Sequence, residues 1–356
     1  MTVNSSDRPP QPPSRRSHWM PIVSLVLLLW VAWRIVGGEA FDLKAFMSSL
    51  WSMDPRWLAL SVVLVSLTYV GRAIRWLVMM RPVAPTARLG PVLEATVIGF
   101  CGAILLGRAG EFIRPYLIAK QENVSVTSQI AVWLLERLTD LLAVLLIFGW
   151  ALSSIDPSIA QRVGPEIGWV LEFGGRASLI VGAVSILILA AFRYYPTLAS
   201  GRIRDAAAAL PDRIRERIVH LAEAFAAGMN VTRDGRTLGL VLFYSVAEWL
   251  LIAACYYSIL QSFAPTSGLT GHDTMVLLGL ASFGSIVQVP GIGGGMQIVA
   301  ILVLNQMFGV SVEDATAVAT MLWGIGLAIV VPPGLILAAR RGLSWTKLRA
   351  AQEHAA

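Results

Sequence analysis

Charged residues are scarce in this chain of 356 residues. Only 14% of the residues are Asp, Glu, Lys or Arg, whereas 56% are apolar, and the mean hydropathy is +0.68. These values lie outside the range of soluble domains and are typical of membrane proteins that cross the bilayer several times. We therefore predict an all-α polytopic membrane protein that folds largely as one intramembrane unit.

Cysteine, histidine and nucleotide-binding motifs are also few or missing. The two cysteines, Cys101 and Cys255, fall within apolar runs and lack the spacing of metal ligands, so we interpret them as packing residues without a disulfide role. The four histidines are scattered along the chain. No P-loop sequence is present, which argues against ATP as the direct energy source. We expect no cofactor and no bound metal.

The net charge of +6 is carried almost entirely by arginines in loops and tails. Because cytoplasmic loops of membrane proteins are enriched in Lys and Arg, we read this charge as a topology signal and predict no nucleic-acid partner. The arginine-rich segment 193–236 and both termini are then cytoplasmic. The loop 261–273, which contains no Lys or Arg, is then outside the cell.

Six apolar runs predict full transmembrane helices. They cover residues 20–36, 57–80, 126–150, 177–192, 238–260 and 315–339. The first run resembles a signal peptide but lacks a convincing cleavage site, so we interpret it as an uncleaved span. The membrane domain therefore covers 19–341, between a disordered cytoplasmic tail at 1–18 and a second cytoplasmic tail at 342–356.

Two glycine-containing segments interrupt the other apolar runs. The first glycine segment, residues 107–115, reads GRAGEFIRP, and the second glycine segment, residues 290–297, reads PGIGGGMQ. If each were a simple loop, the number of spans would place the arginine-rich segment outside, against the positive-inside rule. We therefore predict two re-entrant helical hairpins of opposite orientation, 89–119 and 274–308, that form inverted repeats. For the first segment alone, an ordinary polar loop is the alternative.

The arginine-rich segment 193–236 combines eight arginines with apolar residues at every third or fourth position. This pattern predicts a pair of amphipathic helices, broken at Pro211, on an anionic membrane surface. A solvated helical hairpin packed on the protein is the alternative interpretation.

Several charged residues fall within the apolar runs, where charge is costly and indicates either function or helix pairing. Glu136 and Asp140 lie four residues apart and share a helix face. Arg137 stands three residues from Asp140. These charges either form a structural salt bridge that locks two helices together, or they line a substrate or ion pathway. The other such residues are Arg108, Glu111 and Arg114 in the first glycine segment and Glu248 in the span 238–260.

The partner of Glu248 and the role of two further arginines stay open at this point. Glu248 is an isolated acid that needs a positive partner. The candidate partners are Arg108, Arg114 and Arg137. Arg72 and Arg75 share one face near the C-terminal end of the span 57–80, where they either reach the lipid headgroups or contribute to the pocket.

From these residues we predict one substrate-binding site and no catalytic residue. We expect Arg114 and Arg137 to hold a phosphate group, because a guanidinium can bind phosphate through two hydrogen bonds. The acids would neutralise the remaining guanidinium charge or bind a cationic headgroup. The predicted site comprises Arg108, Glu111, Arg114, Glu136, Arg137, Asp140, Glu248, Gly110, Gly291, Gly293 and Gln297.

Three motifs in this order, Gly110-Glu111-x-x-Arg114, Glu136-Arg137-x-x-Asp140 and Pro290-Gly291-Ile292-Gly293, resemble the lysylphosphatidylglycerol synthase transmembrane-region family. The resemblance covers residues 57–339. Bifunctional members continue into an aminoacyl-transferase domain, whereas only a short tail follows Arg341 here, so the chain looks like a stand-alone flippase-like protein. The family often has an acid at the position that Gln297 occupies in this chain.

The resemblance implies lipid handling in the bacterial cell (inner) membrane. We predict a non-enzymatic flippase or transporter that binds a polar lipid headgroup, of the aminoacyl-phospholipid, polyprenyl-linked or hopanoid type. One alternative is a membrane-embedded transferase that modifies lipids, with paired carboxylates as acid and base. The other is a non-catalytic partner of a lipid-synthesising enzyme. Membrane lipids, and in the last case that enzyme, are the expected partners.

Overall fold

The computed structural model describes residues 41–154, 178–223 with gaps at 179, 189, 192, 193, 213, 217 and 220–222, and 235–342 with gaps at 286, 290 and 292. The predicted first span at 20–36, the tail at 1–18 and nearly all of the tail at 342–356 lie outside these residues. The predicted span at 177–192 is described in part, as helical residues between 178 and 191.

The described chain is almost entirely helical, in agreement with the predicted all-α membrane protein. Its helices are α1 Leu43–Trp51, α2 Pro55–Met80, α3 Leu89–Leu106, α4 Ile113–Gln121, α5 Val126–Ser154, α6 Pro196–Ala206, α7 Gly235–Ser262, α8 Gly271–Gly284, α9 Gly295–Leu302 and α10 Val312–Arg340. A 3₁₀ turn, Gly107–Phe112, joins α3 to α4, and a π turn, Val303–Met307, follows α9. Two short strands, β1 Gln288–Val289 and β2 Gly293–Gly294, lie between α8 and α9.

Four of the described helices, α2, α3, α7 and α10, are long and apolar enough to cross a membrane. Three of them contain the predicted spans at 57–80, 238–260 and 315–339. Helix α5 contains the predicted span at 126–150 and has 29 residues, or about 43 Å at 1.5 Å per residue. The chain is therefore a membrane protein with several long apolar helices.

Side-chain caps determine where several of these helices begin. The Asp54 carboxylate accepts a hydrogen bond from the N–H of Arg56 at 2.8 Å, and Pro55 occupies the first position of α2. Thr270 and Asp273 cap α8 reciprocally, and Ser311 accepts from the N–H of Asp314 at the start of α10. These caps satisfy N–H groups that have no partner within their own helix.

Helices α3 and α4 form a hairpin, and glycines allow its two arms to approach closely. Gly107 ends α3 with a φ of +68°, a conformation that favours glycine. A Cβ atom on Gly110 would overlap the backbone of Gly102, and one on Gly99 would overlap the side chain of Arg114. The first glycine segment therefore forms the tip of a tightly packed hairpin.

Helices α8 and α9 form a second hairpin, with the short strands at its tip. The strands are antiparallel, with Gln288 opposite Gly294 and Val289 opposite Gly293. The backbones of Gly284 and Gly295 lie so close that neither residue could carry a Cβ atom without a shift. The second glycine segment thus also lies at the tip of a hairpin.

The two hairpin tips touch each other. The N–H of Gly291 donates a hydrogen bond to the carbonyl oxygen of Ile104, near the end of α3, at 2.9 Å. Gly291 has a φ of +75°, which a residue with a side chain adopts only at a cost. The second glycine segment therefore contacts the end of α3, directly before the first glycine segment, although about 180 residues separate the two segments in the sequence. The re-entrant and inverted arrangement of the hairpins stays a prediction.

Charged side chains lie between two buried apolar clusters. On α5, Val132 belongs to the first cluster and Phe148 to the second, whereas on α7 the corresponding residues are Val241 and Cys255. The acidic residues of both helices fall between these positions in the sequence. The charges are therefore held between two apolar layers, where solvent screening is weak.

The arginine-rich segment is described in part. Helix α6 continues into a short 3₁₀ turn, and Leu210 is extended, with φ −91° and ψ +154°, directly before Pro211. A residue that precedes proline is driven out of the helical region, which gives the chain a break at the position that the sequence indicates. Arg204 on α6 pairs with Glu223. The cytoplasmic location of the segment and its contact with lipid stay predictions.

Candidate functional site

Four arginines and four acids from five parts of the chain form one connected set of ion pairs. We call this set the charged network. Its members are Arg72 and Arg75 on α2, Glu111 in the 3₁₀ turn, Arg114 on α4, Glu136, Arg137 and Asp140 on α5, and Glu248 on α7. The positive and negative charges of these eight residues balance. The network therefore joins four helices through a site that carries no net charge.

Arg75 lies at the centre of the network. Its side chain is completely buried and contacts three acids, with Nη1 at 2.7 Å from Asp140 Oδ1 and Nη2 at 3.1 Å from Glu136 Oε1 and 3.3 Å from Glu248 Oε2. Its Nη1 also donates to Ser245 Oγ at 3.2 Å. Burial strengthens these pairs and makes the loss of any one partner costly, so Arg75 ties α5 and α7 to α2.

Arg114 is also buried, and protein groups occupy much of its guanidinium. Nη1 lies 3.2 and 3.1 Å from the two carboxylate oxygens of Glu136, and Nη2 donates to the carbonyl oxygen of Arg72 at 3.1 Å. The guanidinium carbon lies 4.0 Å from the centre of the Trp76 ring, in a cation–π contact. The small Gly99 allows this approach of α4 to α3.

Arg137 is the most accessible arginine of the network, with 38% of its side chain exposed. Its Nη2 lies 3.3 Å from Asp140 Oδ2 and 3.6 Å from Glu136 Oε2, whereas its Nη1 lies 4.0 Å from Glu111 Oε2, at the limit of an ion pair. The Nε–H of Arg137 is buried and has no hydrogen-bond acceptor among the described residues. Because 38% of its side chain is exposed, another group can reach the guanidinium of Arg137.

The partner of Glu248 differs from the sequence-based prediction. Its carboxylate lies 2.9 Å from Arg72 Nη2 and 3.3 Å from Arg75 Nη2. The expectation that Arg114 or Arg137 would supply this partner is wrong, because α7 packs along α2, and the arginines of α2 reach Glu248 first. The side chain of Arg108 lies outside the described residues, and only its place in the 3₁₀ turn is known.

Two cavities adjoin the exposed side of the network. The main cavity has a volume of about 640 Å³ and the side cavity a volume of about 190 Å³. Both are lined by Glu111, Trp133, Arg137 and Gln288, whereas Arg114 and Glu136 line the side cavity alone. Because Arg137 lines both cavities, it lies at the boundary between them. The main cavity is within the usual size range of small-molecule sites.

The second glycine segment contributes part of the main cavity. Gly293, Gly294 and Gln297 line it, and Gln297 Oε1 accepts a hydrogen bond from the N–H of Gly294 at 2.5 Å. Gln297 thus binds the backbone at the hairpin tip. Gly110 and Gly291, by contrast, contact other backbone, Gly110 within its own hairpin and Gly291 at the contact between the tips.

Sequence reasoning left two network residues outside the predicted site. The sequence did not decide whether Arg72 and Arg75 reach the lipid headgroups or contribute to the pocket. The structure places both in the charged network. A signal was available, because the acids of the spans 126–150 and 238–260 needed positive partners. The aromatic lining of the main cavity was missed, and it consists of Trp133, Trp249, Tyr256 and Trp323. No sequence pattern separates such residues from tryptophans that face lipid.

A metal centre is not indicated in the part of the chain that the structure describes. No group of three or more His, Cys, Asp and Glu side chains is arranged there to hold a metal ion. The acids of the network instead face guanidinium groups. The arrangement can therefore bind and orient a polar group through hydrogen bonds and charge.

A family model described as Lysylphosphatidylglycerol synthase TM region matches residues 21–334, nearly the whole chain. The match includes every residue of the charged network and of the lining of both cavities. No curated protein and no solved structure matches the chain.

Proposed function

The chain belongs to the lysylphosphatidylglycerol synthase TM region family, and from this premise we propose that it binds the polar headgroup of a membrane lipid in the main cavity and carries it across the membrane. Membership relates the protein to lipid synthesis or flipping. The choice of flipping and the binding site are our proposal. It depends most on one observation, the position of Arg137 between the two cavities.

The proposal assigns Arg137 to the lipid phosphate. Its contact with Glu111 is the longest in the network at 4.0 Å, so a phosphate oxygen could replace that carboxylate at little cost. Two parallel hydrogen bonds from one guanidinium to one phosphate would then orient the headgroup. Arg114, which binds both oxygens of Glu136, has the supporting role of holding α4 against α5.

Translocation would require the hairpin tips to separate. Among the described residues, a backbone hydrogen bond from Gly291 to Ile104 joins them, and such a bond contributes about 0.5–1.5 kcal/mol net. If the tips separated at this contact, the main cavity would open beside the end of α3. The headgroup would then be exposed to the other face of the membrane, as alternating access requires. The drive would be an ion gradient or the downhill flow of the lipid itself.

The first experiment is mass spectrometry of lipid that co-purifies with the full chain in detergent. We expect one phosphate-containing lipid class to be enriched over its share in the membrane. Arg137→Lys keeps the charge but loses the planar pair of donors, so we expect this variant to remain folded and to lose most of the retained lipid. Arg204→Lys, at an exposed pair on α6, is the matched control and should retain the lipid.

A role as structural partner of a lipid-synthesising enzyme is the second candidate, and the charged network favours it. The eight charges balance and join four helices, so a purely structural role in stabilising the fold would account for them. In that case Arg137→Lys would leave lipid retention unchanged, and the protein would co-purify with an enzyme. A membrane-embedded transferase is the remaining alternative, and chemical turnover of the retained lipid by pure protein would support it.

A further inference from the structure

We propose that the main cavity accepts an uncharged, hydroxyl-bearing ring, such as a sugar, as the part of the headgroup that extends beyond the phosphate. This inference rests on the proposed function, because it places the phosphate at Arg137. It goes further by naming the chemical class of the group that the cavity selects.

The aromatic lining is the first observation. Trp133, Trp249, Tyr256 and Trp323 all border the same space. Tryptophan and tyrosine combine a large apolar ring with one polar group, which suits a ligand that has both apolar and polar surface. A saturated ring with hydroxyl groups is such a ligand, because its C–H groups can pack on aromatic rings while its hydroxyls form hydrogen bonds.

An unsatisfied donor is the second observation. The Nε1–H of Trp249 is buried and has no hydrogen-bond acceptor among the described residues. Buried indole N–H groups usually have an acceptor, and this one belongs to a residue that lines the main cavity. The hydroxyls of Ser282 and Ser285 and the amide of Gln288 line the same space. Uncharged donors and acceptors of this kind fit hydroxyl groups.

The charge of the lining is the third observation. Among the described lining residues only Glu111 and Arg137 are charged, and their charges are opposite. The charged network behind them is also balanced. A lining without net charge favours neither a cationic nor a doubly anionic headgroup, since selection by charge needs a local excess of the opposite sign. A neutral group beyond the phosphate adds no further charge to this lining.

The volume of the cavity is the fourth observation. A space of about 640 Å³ lies in the middle of the range of about 300–1,000 Å³ that small-molecule sites occupy. A phosphate with a small ammonium group would leave most of this space to water. One or two sugar rings joined to the phosphate would contact both Arg137 and the aromatic side chains.

The test compares three lipids with the same apolar tail in phosphatidylcholine nanodiscs that contain the full chain. The probes are a glucosyl phosphate, a methyl phosphate, called the simple phosphate because it carries the same single charge without a ring, and an aminoethyl phosphate, each measured for its equilibrium dissociation constant. We expect the glucosyl phosphate to bind at least tenfold more tightly than either other probe. Equal binding of the simple phosphate, or tighter binding of the aminoethyl phosphate, would overturn the inference.

Two variants identify the contacts behind the preference. Trp249→Phe removes the N–H and keeps a ring, so it should weaken binding of the glucosyl phosphate by about 2- to 13-fold, the effect of one neutral hydrogen bond, and leave the simple phosphate unchanged. Glu111→Gln removes the carboxylate that competes with the phosphate for Arg137, so it should strengthen binding of the glucosyl phosphate and the simple phosphate by a similar factor. Strong loss of binding in Glu111→Gln that depends on salt would indicate a cationic group and overturn the inference.

The control is Trp51→Phe, at a tryptophan that is 84% exposed on α1. It should bind all three probes as the unmodified protein does. The proposed function fails separately, if Arg137→Lys binds all three phosphates as well as the unmodified protein. The sugar preference fails alone, if phosphate binding depends on Arg137 but the glucosyl group adds nothing.

Discussion

Replacement of Arg75 by glutamine should destabilise the protein more than any change at a surface ion pair. The side chain is fully buried and contacts Asp140, Glu136 and Glu248 at 2.7, 3.1 and 3.3 Å. Removing one partner from a buried ion pair costs about 3–5 kcal/mol, because the remaining charge stays buried without compensation. Each of the three acids keeps a second arginine within 4.0 Å, so we expect a loss near the lower end, about 3 kcal/mol.

The assay is the free energy of unfolding of the full chain in detergent. Arg204→Gln is the matched control, because its ion pair with Glu223 is exposed and such pairs contribute only about 0–1 kcal/mol. A second variant tests the charge argument directly. Arg75→Gln leaves three arginines facing four acids, and the addition of Glu248→Gln restores equal numbers, so the double variant should be more stable than Arg75→Gln alone.

Two results would refute this reasoning about Arg75. One is a loss for Arg75→Gln no larger than the loss for Arg204→Gln, which would mean that the buried contacts add nothing to the fold. The other is a double variant whose loss equals the sum of the two single losses, since residues that share a charge network should not act additively.

Two further predictions concern the hairpins and the topology. Gly110→Ala should lower the free energy of unfolding by about 1–3 kcal/mol, because the new Cβ overlaps the backbone of Gly102. The control, Gly71→Ala, has open space around the new Cβ and should be neutral or stabilising. Equal effects of the two substitutions would contradict the close packing of the first hairpin. A cysteine at Arg202 should react only with reagents that reach the cytoplasm and one at Ser267 only from outside, and the opposite labelling would remove the re-entrant topology.

The ends of the long helices were largely predictable from the sequence. Helices α2, α7 and α10 differ from the predicted spans by at most three residues at either end, because long apolar runs bounded by polar residues determine them. The structure extends α10 to Val312, because Ser311 caps the helix ahead of the apolar run. Local sequence thus determines the length of these helices, and the caps determine where they begin.

The members of the site were predictable in part, but their pairing was not. The sequence indicates that Glu136, Arg137, Asp140 and Glu248 are costly charges that need partners. Which arginine meets which acid depends on which helices are neighbours and how each is rotated. Glu248 pairs with Arg72 because α7 packs on α2, and no spacing within the chain reveals that contact.

The central claim is that Arg137 binds the phosphate of a lipid whose headgroup crosses the membrane. The most direct measurement uses proteoliposomes that contain the co-purifying lipid with a fluorophore on its acyl chain, and an impermeant reductant that destroys fluorophores in the outer leaflet. With the unmodified protein we predict loss of nearly all fluorescence, and with Arg137→Lys loss of about half, as in protein-free vesicles. Loss of only half with the unmodified protein, or equal loss with Arg137→Lys, would contradict the account.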